Sequence, residues 1–114
     1  MTRTEWIEKY QKKAETFYED PDFKEIYVPD KGFMCYKFDD DGTLHLGHTC
    51  TNDMEYWRKV AYDLARKQGN GRIKTITMRN PAAYIKMTGT HLDLSDSGYR
   101  PNGIWYWAME RMAE

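Results

Sequence analysis

The run Thr43-Leu44-His45-Leu46-Gly47-His48-Thr49-Cys50-Thr51 precedes Asn52-Asp53-Met54-Glu55-Tyr56-Trp57, and the segment ends on Arg72-Ile73-Lys74-Thr75-Ile76-Thr77-Met78. These three pieces decide the fold. The first alternates, with Leu44, Leu46, His48 and Cys50 on one side and Thr43, His45, Gly47 and Thr49 on the other, which predicts a strand over 43–51. The second places Trp57, Val60, Ala61, Leu64 and Ala65 at helical spacing, with Arg58, Lys59, Asp63, Arg66 and Lys67 on the opposite face. Asn52 or Thr51 is the expected cap of this helix. Asp53 and Glu55 suit the positive end of its dipole, and Gly69 closes it. The third piece is again strand-like. A strand, a helix and a strand joined by short connections predict a right-handed parallel crossover.

Upstream, Asp39-Asp40-Asp41-Gly42 is a hairpin turn, and 33–38 is the partner strand. Pro29-Asp30-Lys31-Gly32 is another turn, preceded by a short run over 25–28. The first segment is expected to be a helix with capping-box spacing between Thr2 and Glu5. Its apolar stripe is Trp6, Ile7, Tyr10, Ala14, Phe17 and Tyr18; Glu8, Lys9, Lys12, Lys13 and Glu15 lie opposite, and Asp20-Pro21 ends it. Downstream, Asn80-Pro81 opens a short helix that Gly89 closes. A strand over 91–95, a loop over 96–103 and an aromatic strand over 104–109 complete the chain. The predicted class is α+β, an α/β sandwich: one single domain with a mixed antiparallel and parallel sheet and flanking helices.

The chain has 114 residues, 40% of them apolar and 15% aromatic, which excludes a disordered chain. Its apolar runs are far shorter than the roughly 20 residues of a membrane span, so no membrane partner is expected. The opening residues predict no secretory signal. Seventeen basic against eighteen acidic side chains give −1, which argues against a nucleic-acid partner, since such binders carry a positive field. Cys35 and Cys50 read as buried, reduced thiols of a cytoplasmic protein. The three histidines lack metal-ligand spacing, so no metal is expected.

The order of elements from about Glu25 to Arg111 resembles the GCN5-related N-acetyltransferase (GNAT) family. Asn80-Pro81-Ala82-Ala83-Tyr84-Ile85-Lys86-Met87-Thr88-Gly89 is similar to that family's late helix, which begins with Asn and ends Tyr-x-Lys-apolar-Gly. The resemblance implies a central parallel strand pair that opens to take acetyl-CoA. It also implies transfer of an acetyl group to an amine, on a small molecule or a protein. By the same resemblance Asn80 contacts the cofactor and Tyr84 protonates the departing thiolate. Thr49, Thr51 and Asn52 occupy the stretch that would meet the cofactor. The family's glycine-rich phosphate loop is not matched there. The similar string Arg66-Lys67-Gln68-Gly69-Asn70-Gly71 falls at the far end of the helix, where carbonyls face outward. With Asp53 and Glu55 where phosphate would sit, acetyl-CoA binding is expected to be weak.

His45, close to the Asp39–Asp41 run, is the candidate general base, because imidazole titrates near neutral pH. His48, on the Leu44 and Leu46 face, reads as a core histidine. The 96–103 loop, with Tyr99 and Arg100 inside it, suits a substrate wall or a partner surface. The alternative to an enzyme is a non-catalytic GNAT-like module acting through protein contacts or as a homo-oligomer. Trp105, Tyr106 and Trp107 could stack single-stranded bases, against which the neutral charge counts. Small size and composition suit a phage or mobile-element protein.

Overall fold

A computed structural model describes residues 1–14 and 16–113. The elements are α1 (Arg3–Lys13), β1 (Lys24–Val28), β2 (Gly32–Phe38), β3 (Leu44–Thr51), α2 (Met54–Gln68), β4 (Arg72–Thr77), α3 (Ala82–Thr88), β5 (His91–Tyr99) and β6 (Trp105–Met112). The six strands form one mixed sheet in the order β1-β2-β3-β4-β6-β5. All neighbours are antiparallel except β3 and β4, which run parallel and are joined by α2, as the strand–helix–strand pattern requires. Among the described residues no helix is long and apolar enough to cross a membrane.

Two layers of core lie on the two faces of the sheet. On one face α1 seats Trp6 and Tyr10 against Phe33, Cys35 and Cys50. On the other, Trp57, Ala61, Tyr62 and Ala65 of α2 pack on Met34, Leu44 and Ile73. Burying a side chain of the Leu or Met class stabilises by about 1.5–3 kcal/mol, so the alternation of β2 between Phe33 and Met34 anchors both layers at once. Arg58 of α2 donates to the Met87 carbonyl of α3 at 3.2 Å, which ties α3 to the α2 face.

Several boundaries differ from the sequence reading. α1 carries the predicted capping box between Thr2 and Glu5 but stops at Lys13. Phe17 and Tyr18 lie beyond the helix, and Phe17 packs its ring 5.5 Å from Phe33 and 5.0 Å from His48. Arg79 donates to the Ala14 carbonyl at 3.0 Å, beside the α1 terminus. Glu15 lies outside the described residues. α2 is capped by Asp53, not by Thr51 or Asn52. The string Arg66–Gly71 sits at the carboxyl end of α2, as read. β5 extends to Tyr99, so half of the predicted 96–103 loop is strand, with an irregular register between Asp93 and Gly98.

The largest correction concerns β3. Met34 pairs with Thr49 and Tyr36 with Leu46, so a step of two residues on β2 answers a step of three on β3. This is a β-bulge, and it reverses which side chains face which layer. Leu44 and Leu46 pack on the α2 side, whereas His48 and Cys50 lie on the α1 side. His48 therefore does not share the Leu44 and Leu46 face. It does meet a partner as a satisfied histidine: the Tyr10 hydroxyl and His48 Nδ1 are 2.6 Å apart. At Gly47, in the bulge, an added Cβ would come within 2.8 Å of the Phe23 ring.

Candidate functional site

β3 and β4 pair over three residues: Leu44 with Ile73, His45 with Lys74, and Leu46 with Thr75. Both strands then continue without pairing to each other, β3 for five residues and β4 for two. The bulge begins where the ladder stops. Parallel ladders satisfy each backbone group in turn, so its early end leaves the facing edges of the two strands without each other as partners.

A cavity of about 750 Å³ opens on the α1 side of this point. That volume lies within the usual range of small-molecule sites. Its floor is the sheet at His45, Gly47, Ile76 and Met78, and its roof is the 17–23 segment that crosses from α1 to β1. The roof is held by Arg3, which donates to Glu19 at 2.9 Å and to Glu25 at 2.7 Å. Cys35 lines the cavity, but burial pushes its thiol up to about 11, so it is neutral near pH 7 and is not a thiolate nucleophile.

His45 is half-buried on the cavity wall, with its ring 5.7 Å from that of Phe23. Asp39 of the hairpin lies 3.7 Å from Nδ1, the partner expected from the chain spacing. Burial lowers the imidazole below its ordinary value; Asp39 opposes this, and Lys74 and Lys37 add to it. The ring is thus held neutral, the form that accepts a proton. Tyr84, on the first turns of α3, is on the other side of the sheet. Its phenol hydrogen-bonds the Thr75 side chain, and burial raises it above the usual tyrosine value. His45 and Tyr84 therefore flank the last pair of the β3–β4 ladder from opposite faces, one neutral and able to accept, the other protonated and able to donate.

The four expected cofactor contacts are not gathered at one point. The Thr49 hydroxyl donates to the Gly47 carbonyl at 3.1 Å, within the bulge. Thr51 Oγ1 accepts from Asp53 N–H at 2.8 Å, and Asn52 Nδ2 donates to the Asp30 carbonyl at 3.1 Å, fastening the start of α2 to the β1–β2 turn. Asn80 is exposed, and its Oδ1 accepts from Ala82 N–H at 2.9 Å as α3 begins. The start of α2 also carries a positive charge that comes from a distant turn. Lys31 reaches over from the β1–β2 turn to Asp53 at 2.9 Å and lies 4.9 Å from the Tyr56 ring centre. That bond and the Tyr56 N–H hold the Asp53 carboxyl below its ordinary value.

Among the described residues, Asp93, Asp96 and Glu110 bring carboxylate oxygens within 4.8 Å of one another. Arg72, His91 and Lys74 already face this group, with Lys74 3.7 Å from Asp96 and His91 3.3 Å from Glu110.

Lys31, Gly47 and the Phe23 roof are missed by sequence reasoning, because nothing local says which distant element each will meet. Gly47 offers the one usable signal, a glycine inside a strand, which often marks a bulge. No family model matches the chain, and no curated protein matches it either.

Proposed function

We propose that this chain is a GNAT-like N-acyltransferase whose chemistry takes place where β3 and β4 part. The observation that carries the reading is the three-residue parallel ladder, ended by a bulge beside a cavity and flanked by His45 and Tyr84. Acetyl-CoA is the donor that the resemblance implies, and it would supply the activated acyl group. The chain fits one half of that molecule. The facing edges of β3 and β4 suit a pantetheine arm, which hydrogen-bonds as an added strand would. The start of α2 does not fit a pyrophosphate: Asp53 already accepts from Tyr56 N–H, and Lys31 is committed to Asp53. No phosphate contact is assigned.

The residues' own chemistry is simple. An amine reacts only after losing a proton, and a neutral His45 on the cavity wall takes it, directly or through one water. As the amine nitrogen bonds the acyl carbon, the C–S bond of the donor would break, and the protonated Tyr84, on the far side of the sheet, would give its proton to the departing thiolate. Transfer to an amine then needs both faces of the gap between β3 and β4, which is the arrangement these two residues offer.

A second reading has its own support: Asp53 as a self-sufficient cap of α2 favours a non-catalytic GNAT-like module that works through protein contacts. Calorimetric titration with acetyl-CoA and with S-acetyl-pantetheine, which lacks the pyrophosphate, separates the two. On the acyltransferase reading both bind with similar, modest affinity, and Tyr84→Phe slows acyl transfer while leaving binding intact. Absence of binding by both overturns it in favour of the module.

A further inference from the structure

The cavity holds a cation that no carboxylate of the described residues pairs with. Arg100 lines it at the start of the β5–β6 turn, half-buried, and its guanidinium donates to Met78 Sδ at 3.4 Å. A thioether is a weak acceptor, and the guanidinium has five N–H donors. No carboxylate among the described residues lies within ion-pair distance of it. Arg3, by contrast, is taken by Glu19 and Glu25, and Lys37 lies 5.0 Å from the Phe23 ring centre. The position of Arg100 is fixed by its backbone: its N–H donates to Ile104 and its carbonyl accepts from Gly103, each at 2.8 Å. The turn thus presents one unspent, forked donor to a cavity whose roof is aromatic, with Phe17, Tyr18 and Phe23 over it.

We infer that this cavity binds a small molecule with an aromatic or aliphatic body and one carboxylate, the carboxylate held by Arg100, in the manner of an amino acid. Planar guanidinium and carboxylate match in two parallel N–H···O bonds. A carboxylate is favoured over a phosphate by the charge of the walls. Among the described residues that line it, Arg3, Lys37 and Arg100 are offset by Glu19, Asp20 and Glu25, so these walls carry no net positive charge to hold a dianion. Asp20 is itself without a cation within ion-pair distance among the described residues. It gives the ligand's amine a counter-charge in the same cavity. The amine is the acyl acceptor only on the acyltransferase reading given above; the carboxylate contact stands without it.

The test is calorimetric titration of the full chain, with no acyl donor present, using four matched probes: L-phenylalanine, 3-phenylpropionate, phenethylamine and phenyl phosphate. L-phenylalanine and 3-phenylpropionate are expected to bind, and phenethylamine to bind about tenfold more weakly or less, as loss of a charge-assisted pair implies. Arg100→Gln is expected to lower the affinity for the two carboxylates by about the same factor, and Arg66→Gln, on the exposed face of α2, to leave it unchanged. The inference is overturned if none of the probes binds, if phenethylamine binds as well as L-phenylalanine, if phenyl phosphate binds best, or if folded Arg100→Gln keeps full affinity. Should Arg100→Gln not fold, the four probes on the unaltered protein decide alone. Binding of L-phenylalanine without binding of acetyl-CoA or S-acetyl-pantetheine overturns the acyltransferase reading and leaves the carboxylate site; the reverse overturns the site alone.

Discussion

Leu46 and Thr75 are the last residues of β3 and β4 to pair, and the Thr75 hydroxyl donates to the Leu46 carbonyl at 3.3 Å. The same side chain meets the Tyr84 phenol. One buried threonine thus closes the parallel ladder and fixes α3 to the sheet at the point where the strands part.

Thr75→Val keeps the shape and removes the hydroxyl. Both partners lose a hydrogen bond in a poorly solvated place, so a loss of about 1–3 kcal/mol is expected. Urea denaturation measures it. Tyr84→Phe alone is expected to cost less, and the double variant to cost less than the sum, because the two changes remove one shared bond. Strict additivity would show that Tyr84 does not depend on Thr75.

His45 predicts a pH dependence whose sign follows from its burial. The folded state lowers the imidazole, so the unfolded chain binds the proton more readily around and below pH 6.5. The stability this contributes is complete above the unfolded value and is lost as pH falls through the folded one. Melting temperatures from pH 8 to 4 should fall more steeply for the unaltered protein than for His45→Gln. Equal slopes would remove His45 as a neutral buried base.

Gly47 allows the Phe23 ring to lie on the sheet. In Gly47→Ala the new methyl would press on the ring at 2.8 Å, while its 3.5 Å approach to Cys35 Cβ is ordinary contact. Overpacking of this kind costs about 1–3 kcal/mol. Phe23→Leu is expected to recover part of it, and the recovery is read by chemical denaturation of the single and double variants. The cavity roof should shift as well, so ligand affinity should fall in Gly47→Ala and partly return in the pair.

Asp53→Asn keeps an oxygen to accept from Tyr56 N–H and releases Lys31. Its carboxyl lies below its ordinary value in the fold, so the contribution to stability is present above the usual aspartate range and disappears as pH falls through the lowered one. The variant should be less stable than the unaltered protein at pH 7, and the difference should narrow as pH falls below the usual aspartate range. It should also bind acetyl-CoA more tightly, since a negative charge leaves the start of α2 and a positive one is freed. Unchanged affinity would mean that phosphate never approaches this helix end.

The amino-acid sequence by itself determined the order and type of the elements. The stripe Trp57, Ala61 and Ala65, the turn at Asp39–Gly42, and the stops at Gly69 and Gly89 are local signals, written within a few residues of where they act. The parallel pairing of β3 with β4 follows from them because one handed crossover is open to a strand–helix–strand unit. Only the tertiary structure decided the site. The extra residue of β3 shows as a bulge only against β2, and it turns His48 and Cys50 away from the Leu44 and Leu46 face. Lys31 meets Asp53 across 22 residues and Arg100 meets Met78 across 22 more. α1 stops short of Phe17 and Tyr18 although their spacing is helical, and those rings roof a cavity instead. Helix and turn signals are carried by neighbouring backbone. Register, charge pairing and cavity shape are set by which distant surfaces are pressed together.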